Sequence, residues 1–172
     1  DSPVHQILFL TAQNGLLLIG EGRAVLTRDG GAEWFPLGFP PSIKFEAIAR
    51  QGETVWLAGG RQLTPTLKVA SLWRSHDLGQ TWQPLASVKK LSGTITSLWF
   101  ADALTAYLAV DGKVYRTQDG GESWEEFSDG VVAIEKIYGS NVKNLWGLTP
   151  EGAVYQHAAA AEPEPEPAAP SP

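Results

Sequence analysis

The octet TRDGGAEW at residues 27–34 recurs as SHDLGQTW at 75–82 and as TQDGGESW at 117–124. All three copies fit the pattern Ser/Thr-x-Asp-x-Gly-x-x-Trp, and their aspartates are 48 and 42 residues apart. A period of about 40 to 50 residues indicates a repeated supersecondary unit rather than a single motif. The octet therefore marks the position of each unit along the chain.

The sequence around the octets repeats with them. Two short apolar segments separated by a glycine turn precede each octet, and a third apolar segment lies further upstream, as HQILFLTA, IKFEAIAR or TITSLWFAD. Valine, isoleucine, threonine and aromatic residues dominate these segments, and no apolar spacing of 3.6 residues is present. Each unit predicts four antiparallel strands, with the upstream segment as a buried innermost strand.

Four-stranded units of this length are typical of propeller blades. We expect an all-β, propeller-like domain over residues 1–157. Its four predicted blades span about residues 5–37, 43–87, 94–127 and 130–157. Aligning EGAVYQH with DGKVYRT puts His157 at the first octet position and Ala159 at its aspartate, so the last blade is expected to lack the octet and its fourth strand.

The last segment, residues 158–172, has no apolar side chain larger than alanine and alternates glutamate with proline. Such a composition cannot form a core and favours an extended, polyproline-like spacer or a disordered end. The functional alternative is a tether or a peptide docked on a partner.

Every position shared by the three octets has a folding role. The hydroxyl and the carboxylate can accept from backbone amides of a tight hairpin, the glycine permits a positive φ, and the tryptophan can fill the layer between sheets. Repetition around an array also keeps the aspartates apart, which opposes a shared catalytic centre. We therefore predict a structural role for Thr27, Asp29, Gly31, Trp34, Ser75, Asp77, Gly79, Trp82, Thr117, Asp119, Gly121 and Trp124.

Composition excludes several kinds of site. The net charge of −6 opposes nucleic-acid binding, and the absence of cysteine removes disulfides, thiolate metal sites and a cysteine nucleophile. The three histidines have no metal-ligand spacing, so we expect no metal and no cofactor. No apolar run reaches the length of a membrane span. The chain begins with aspartate, and removal of an export signal would explain this, which favours an extracytoplasmic location.

The octet resembles the Asp-box, or bacterial neuraminidase repeat, of several propeller families. Sialidases resemble this chain only in the boxes, since they are longer and use an arginine triad and a tyrosine nucleophile. Segments such as GEGRAVLTRDGGAEW and AYLAVDGKVYRTQDGGESW more closely resemble the photosystem II assembly and stability factor family and its bacterial relatives. That resemblance implies a non-catalytic protein that holds partners during assembly of a membrane complex, usually with about seven blades.

We expect partner binding on the face opposite the boxes, where propellers usually bind ligands. Arg23, Arg61 and Lys113 recur just after the glycine turns, and a longer second-blade loop carries Lys68. Guanidinium and ammonium groups on one face could bind an acidic protein surface. The alternative is that these side chains are only solvated.

Four blades leave three possibilities for the ring: a closed four-bladed propeller, an array completed by a second copy or another subunit, or part of a longer protein. An open strand edge favours completion by another chain. The predicted function is a non-catalytic scaffold or assembly factor, and the alternative is a carbohydrate-binding module or part of a sialidase-like glycoside hydrolase.

Overall fold

The structure is a computed structural model that describes residues 2–127 and 132–158. In these residues the chain forms four antiparallel sheets, and each sheet is a meander in which consecutive strands are neighbours. The first sheet comprises β1 (Val4–Phe9), β2 (Gly15–Ile19), β3 (Arg23–Thr27) and β4 (Phe35–Pro36). The second comprises β5 (Ile43–Gln51), β6 (Thr54–Gln62), β7 (Lys68–Ser75) and β8 (Gln83–Pro84). The third comprises β9 (Ile95–Phe100), β10 (Ala106–Val110), β11 (Lys113–Thr117) and β12 (Glu125–Glu126). The fourth comprises β13 (Lys136–Asn141), β14 (Asn144–Leu148) and β15 (Val154–Ala158).

The predicted all-β array of four blades with an incomplete last blade is confirmed. Within the described residues the fourth sheet has three strands, whereas each of the others has four. The predicted start of the fourth blade at residue 130 lies outside the described residues. So do Ala159 and the predicted tail from residue 159 onward.

A strand covered by sheets on both faces is buried throughout, whereas a strand covered on one face alternates buried and exposed residues. All five residues of β10 are buried, because the third sheet is packed on both faces. In β5, by contrast, Ile43 and Phe45 are buried while Lys44 and Glu46 point away from the core. Alternation in the innermost strand thus leaves polar side chains free to line a surface.

The sheets pack in chain order, and a hydrophobic cluster fills each junction. Leu16, Leu18, Val55 and Leu57 are buried between the first and second sheets. Trp56, Leu72 and Leu108 belong to the cluster between the second and third, and Tyr107, Ile137 and Leu145 to that between the third and fourth. Among the described residues, no such cluster joins the fourth sheet to the first.

The two ends of the array therefore expose apolar side chains. Val4 and Ile7 of β1 are 61% and 53% exposed, and Tyr138 and Val154 of the fourth sheet are 59% and 67% exposed. The expectation that HQILFLTA is a buried strand is wrong. This segment is innermost in its sheet and lies beside β5, but no described sheet covers its other side.

Candidate partner-binding site

The three Asp-boxes form near-identical hairpins between the third and fourth strands of their sheets. In the second box the Ser75 hydroxyl donates to the Asp77 carboxylate at 2.7 Å and accepts from the Gly79 amide at 2.8 Å. Thr27 and Thr117 make the same pair of bonds in the first and third boxes. These hydroxyls are fully buried, so their partners have to be supplied by the hairpin itself.

The box carboxylates accept several hydrogen bonds from the end of the hairpin. Burial acts to raise the pKa of Asp77, but hydrogen bonds from the Thr81 hydroxyl and amide outweigh it and lower the pKa to about 2. Hydrogen bonds from the Ser123 hydroxyl and amide lower the pKa of Asp119 to about 2 as well. A carboxylate held as an anion by its own hairpin suits a structural acceptor, not a proton donor.

The box tryptophans pack towards the preceding sheet. Trp82 lies against the cluster between the first and second sheets, and Trp124 against the cluster between the second and third. Trp34 has no preceding described sheet and packs edge-on against Phe9 of its own sheet, with ring centroids 6.3 Å apart. The second and third boxes thus join neighbouring blades, whereas the first covers an end of the array.

A polar groove of about 410 Å³ lies on the opposite face, beside the turns that join second and third strands; we call it the turn groove. Glu21, Pro41, Ser42, Lys44, Glu46, Gly60, Gln62, Lys68 and Thr94 line it. Lys44 is ion-paired with Glu21 at 3.4 Å, and both side chains are substantially exposed. The turn groove therefore presents both charges in one concave surface drawn from three sheets.

Gly22 allows the first sheet to contact the second sheet beside this groove. It has a φ of +77°, and its carbonyl accepts from the Phe45 amide of the second sheet at 2.9 Å. A Cβ atom at Gly22 would lie 2.7 Å from the Phe45 carbonyl oxygen. The glycine turn of the first repeat is thus required both by its left-handed backbone and by its contact with the next sheet.

The four predicted basic residues are all exposed, but they do not form one patch. Lys68 lines the turn groove, whereas Arg61 lines a separate cavity along β7. Arg23 donates to the Ser2 hydroxyl at 3.2 Å, and Lys113 is paired with Glu126 at 3.0 Å. Their different surroundings make Lys68 the best placed of the four to contact a ligand in the groove.

Sequence reasoning missed Lys44, Glu21 and Glu46 as groove residues. The signal for Lys44 and Glu46 was present, because they alternate with buried Ile43 and Phe45 in an innermost strand. The sequence could not show how the first sheet packs beside the second, and this packing brings Glu21 of one turn to Lys44 of the next sheet.

Comparison with known proteins identifies the family. The family described as photosynthesis system II assembly factor YCF48 matches residues 1–162 of this chain. The chain belongs to the YCF48 family. The predicted resemblance to photosystem II assembly factors is therefore confirmed.

Two curated relatives of this YCF48-family chain cover most of it. The photosystem II assembly lipoprotein Ycf48 of Synechococcus sp. (strain CC9902) is 37% identical over 127 residues, which is 70% of this chain and 36% of the relative. The chloroplastic photosystem II stability/assembly factor HCF136 of Oryza sativa subsp. japonica is 25% identical over 132 residues, or 73% of this chain and 28% of the relative. The chain thus spans about a third of the length of these relatives.

Solved structures share the fold at low sequence identity. A structure described as YCF48 bound to D1 peptide superposes with a TM-score of 0.65 at 20% identity, over 87% of this chain and 47% of that chain. A GH74 xyloglucanase from Xanthomonas campestris superposes with a TM-score of 0.66 at 14% identity, over 89% of this chain and 27% of that chain. The fold is thus shared by assembly factors and by a glycosidase, so the function has to be argued from the site. Among the described residues, no helix is both long and apolar enough to span a bilayer.

Proposed function

We propose that this chain is a non-catalytic assembly factor that binds a segment of a partner protein in the turn groove. Membership of the YCF48 family over residues 1–162 carries this proposal. The relatives are named as photosystem II assembly factors, one solved relative is described as bound to D1 peptide, and we extend protein binding to this chain. The domain is residues 1–157, and the protein acts outside the cytoplasm as an accessory of a membrane complex.

The turn groove suits an extended peptide better than a small substrate. Its volume of about 410 Å³ lies at the lower end of the range for ligand sites, and its walls come from three sheets. Lys68 and Lys44 can bind carboxylates, and Gln62 and Ser42 supply amide and hydroxyl groups for a peptide backbone. A peptide with an acidic residue fits this arrangement.

The groove does not resemble a glycosidase site, although Glu21 and Glu46 both line it. A glycosidase needs a carboxylic acid kept protonated by an apolar, buried environment. The Glu21 side chain is 92% exposed and is ion-paired with Lys44, and Glu46 is exposed as well, so neither has the apolar, buried environment of such an acid. A non-enzymatic role is therefore the better account of these two side chains.

Binding of overlapping synthetic peptides that cover the D1 protein tests the proposal. In a fluorescence-anisotropy titration of the full chain, we expect one acidic segment to bind. Lys68→Ala should weaken this binding by about 10-fold, the size expected for one lost charge-assisted hydrogen bond. Lys90→Ala, at another exposed lysine outside the groove, should leave binding unchanged.

A second variant tests the wider basic face. The Arg23→Ala, Arg61→Ala, Lys113→Ala triple variant should weaken binding of the same peptide less than Lys68→Ala does, because none of the three lines the turn groove, and it should not lower the melting temperature. Equal binding by the wild type, Lys68→Ala and the triple variant would show that neither the turn groove nor the basic face binds the peptide. Hydrolysis of an oligosaccharide by the full chain would overturn the non-catalytic assignment.

A further inference from the structure

The junction between the third and fourth sheets lacks a part that the other two junctions possess. A box tryptophan packs at each of those junctions, Trp82 between the first and second sheets and Trp124 between the second and third. The fourth sheet has no Asp-box, and a cavity of about 330 Å³ lies at its junction with the third. We call this space the junction cavity. Val114, Phe127, Val132, Ile134, Ile137, Leu145, Trp146, Gly147, Tyr155, Gln156 and His157 line it.

Strand register shows that the junction cavity occupies the position of a box tryptophan. The Leu85 amide donates to the Leu72 carbonyl in the second sheet, and the Phe127 amide donates to the Val114 carbonyl in the same way in the third. Leu72 and Leu85 belong to the cluster on which Trp124 packs, while their counterparts Val114 and Phe127 line the cavity.

By strand register, the fourth-sheet wall of the cavity corresponds to the third-sheet wall of the junction that Trp124 fills. Ala106 is paired with Thr117, the first position of the third box, and Leu145 is paired with His157. Ala106 belongs to the cluster between the second and third sheets, and Tyr115 packs against this cluster together with Trp124. Their counterparts Leu145 and Tyr155 line the cavity.

The strand beside the cavity has an unpaired edge. Each third strand of the other sheets pairs with a two-residue fourth strand that follows its box. β15 is paired with β14 alone among the described residues, and Tyr155 is 47% exposed. Such an edge can accept a strand from another chain by β-augmentation.

The third sheet also indicates which charge should accompany the aromatic group. In the third box Glu122, two residues before Trp124, is ion-paired at 2.7 Å with Arg74 of the preceding sheet. Arg74 is paired with Trp56, and Arg116 with Tyr107, so Arg116 is the counterpart of Arg74 at the next junction. Arg116 already bonds Glu125 of its own sheet through Nε and Nη2, whereas Arg74 binds Glu122 through Nη1. A segment that entered the junction cavity as a box does would bring an acidic residue to Arg116 as a second carboxylate.

From these observations we propose that the junction cavity and the free edge of β15 bind an extended segment of a partner protein. This segment carries an aromatic side chain, preferably tryptophan, with an acidic residue two positions before it. The aromatic ring fills the cavity, the acidic residue faces Arg116, and the following residues pair with β15. The site is separate from the turn groove and does not depend on the function proposed there.

The fourteen residues after β15 contain no aromatic side chain that could fill this space. Residues 159–172 consist of alanine, glutamate, proline and serine alone. These residues therefore cannot provide the aromatic group, and we take it from a partner protein. A volume of about 330 Å³ is large enough for one indole ring and its neighbouring atoms.

The third box provides a probe for the site. A fluorescein-labelled peptide with the sequence of residues 117–127, TQDGGESWEEF, should bind the full chain in an anisotropy titration. Replacing its tryptophan by alanine should weaken binding by at least about 10-fold, as expected for loss of a buried aromatic anchor. Replacing the glutamate two residues before the tryptophan by lysine should also weaken it, because that residue faces Arg116.

Two chain variants with the same substitution locate the binding. Val132→Trp places an indole at the cavity wall and should abolish peptide binding while keeping or raising the melting temperature. Val142→Trp makes the same change at a residue that is 41% exposed and does not line the cavity, and it should bind the peptide normally. Equal affinities of these two variants, or equal binding of the tryptophan and alanine peptides, would overturn the proposal.

A variant in which the box sequence is part of the chain tests the site without relying on the affinity of a free peptide. Residues 157–167 of the full chain are replaced by TQDGGESWEEF, so that a box follows β15 as it follows β3, β7 and β11. We expect the melting temperature to rise by roughly 5 °C, and the same replacement with alanine for tryptophan to lose most of that rise. No tryptophan-dependent rise would overturn the proposal. Concentration-dependent dimerisation abolished by Val132→Trp would assign the cavity to a second copy instead.

Discussion

Truncation of the box tryptophans should reveal which boxes join neighbouring sheets. Trp82 is half-buried at the first junction, its ring lies 6.0 Å from that of Phe39, and its Nε1–H donates to the Gly79 carbonyl at 3.0 Å. Full burial of an aromatic side chain removes about 150–250 Å² from water, worth about 4–6 kcal/mol at ~25 cal/mol per Å². Half of that plus about 1 kcal/mol for the hydrogen bond gives about 3–4 kcal/mol for Trp82→Ala.

The matched control is Trp34→Ala at the outer end of the array. Trp34 makes the same indole hydrogen bond, to the Gly31 carbonyl at 3.1 Å, but it packs on Phe9, which is itself 42% exposed. We expect a loss of about 1–2 kcal/mol, because little apolar surface at that end is removed from water. Trp82→Ala should lower the melting temperature by about 10 °C, and Trp34→Ala by less than half as much.

Urea unfolding followed by far-UV circular dichroism measures both variants without using tryptophan as the probe. The free energy of unfolding should decrease in the order wild type, Trp34→Ala, Trp82→Ala, with Trp124→Ala close to Trp82→Ala. Equal losses for Trp34→Ala and Trp82→Ala would refute the argument that these tryptophans act between sheets. That result would also weaken the assignment of the junction cavity as a vacant tryptophan position.

Two further predictions concern the backbone and the box carboxylates. Gly59→Ala should destabilise the domain by at least about 3 kcal/mol in urea unfolding, because the new Cβ would lie 1.9 Å from the Lys44 carbonyl oxygen. Gly38→Ala is the control and should be neutral, because no atom lies within 4 Å of its new Cβ. Asp77 and Asp119 have a pKa of about 2 when folded, below the ordinary 3.8, so their contribution is present above about pH 4 and is lost as the pH falls towards 2. Melting temperatures measured from pH 5 to pH 2 should therefore fall less steeply for the Asp77→Asn, Asp119→Asn double variant than for the wild type. An equally steep fall in both proteins would show that other groups cause the acid sensitivity.

Much of the fold could be predicted because local sequence determines the box hairpins. The hydroxyl, carboxylate and glycine of each box are within four residues of one another and satisfy one another's hydrogen bonds, so one octet is enough to place one hairpin. Alternation and glycine turns then place the remaining strands. The absence of an octet likewise predicted that the fourth sheet would be incomplete.

The binding surfaces could be predicted only in part. Arg23, Arg61, Lys68 and Lys113 follow equivalent turns in sequence, and the predicted common face rested on that equivalence alone. In the structure Lys113 is paired with Glu126, and Arg61 lines a different cavity from Lys68. Neighbours in another strand or sheet decide whether an exposed charge can reach a ligand, and spacing along the chain does not record them.

The sequence by itself determined the number of sheets, the structure of each box and the incompleteness of the last sheet, because these follow from hydrogen bonds and periodicities that span a few residues. Tertiary structure alone decided which faces were covered. Ile7 is as apolar as Ile43, but Ile7 is 53% exposed and Ile43 only 6%, because a sheet lies over one and no described sheet lies over the other. Burial depends on the neighbouring sheet, and the two candidate binding sites lie where that neighbour leaves a groove or is absent.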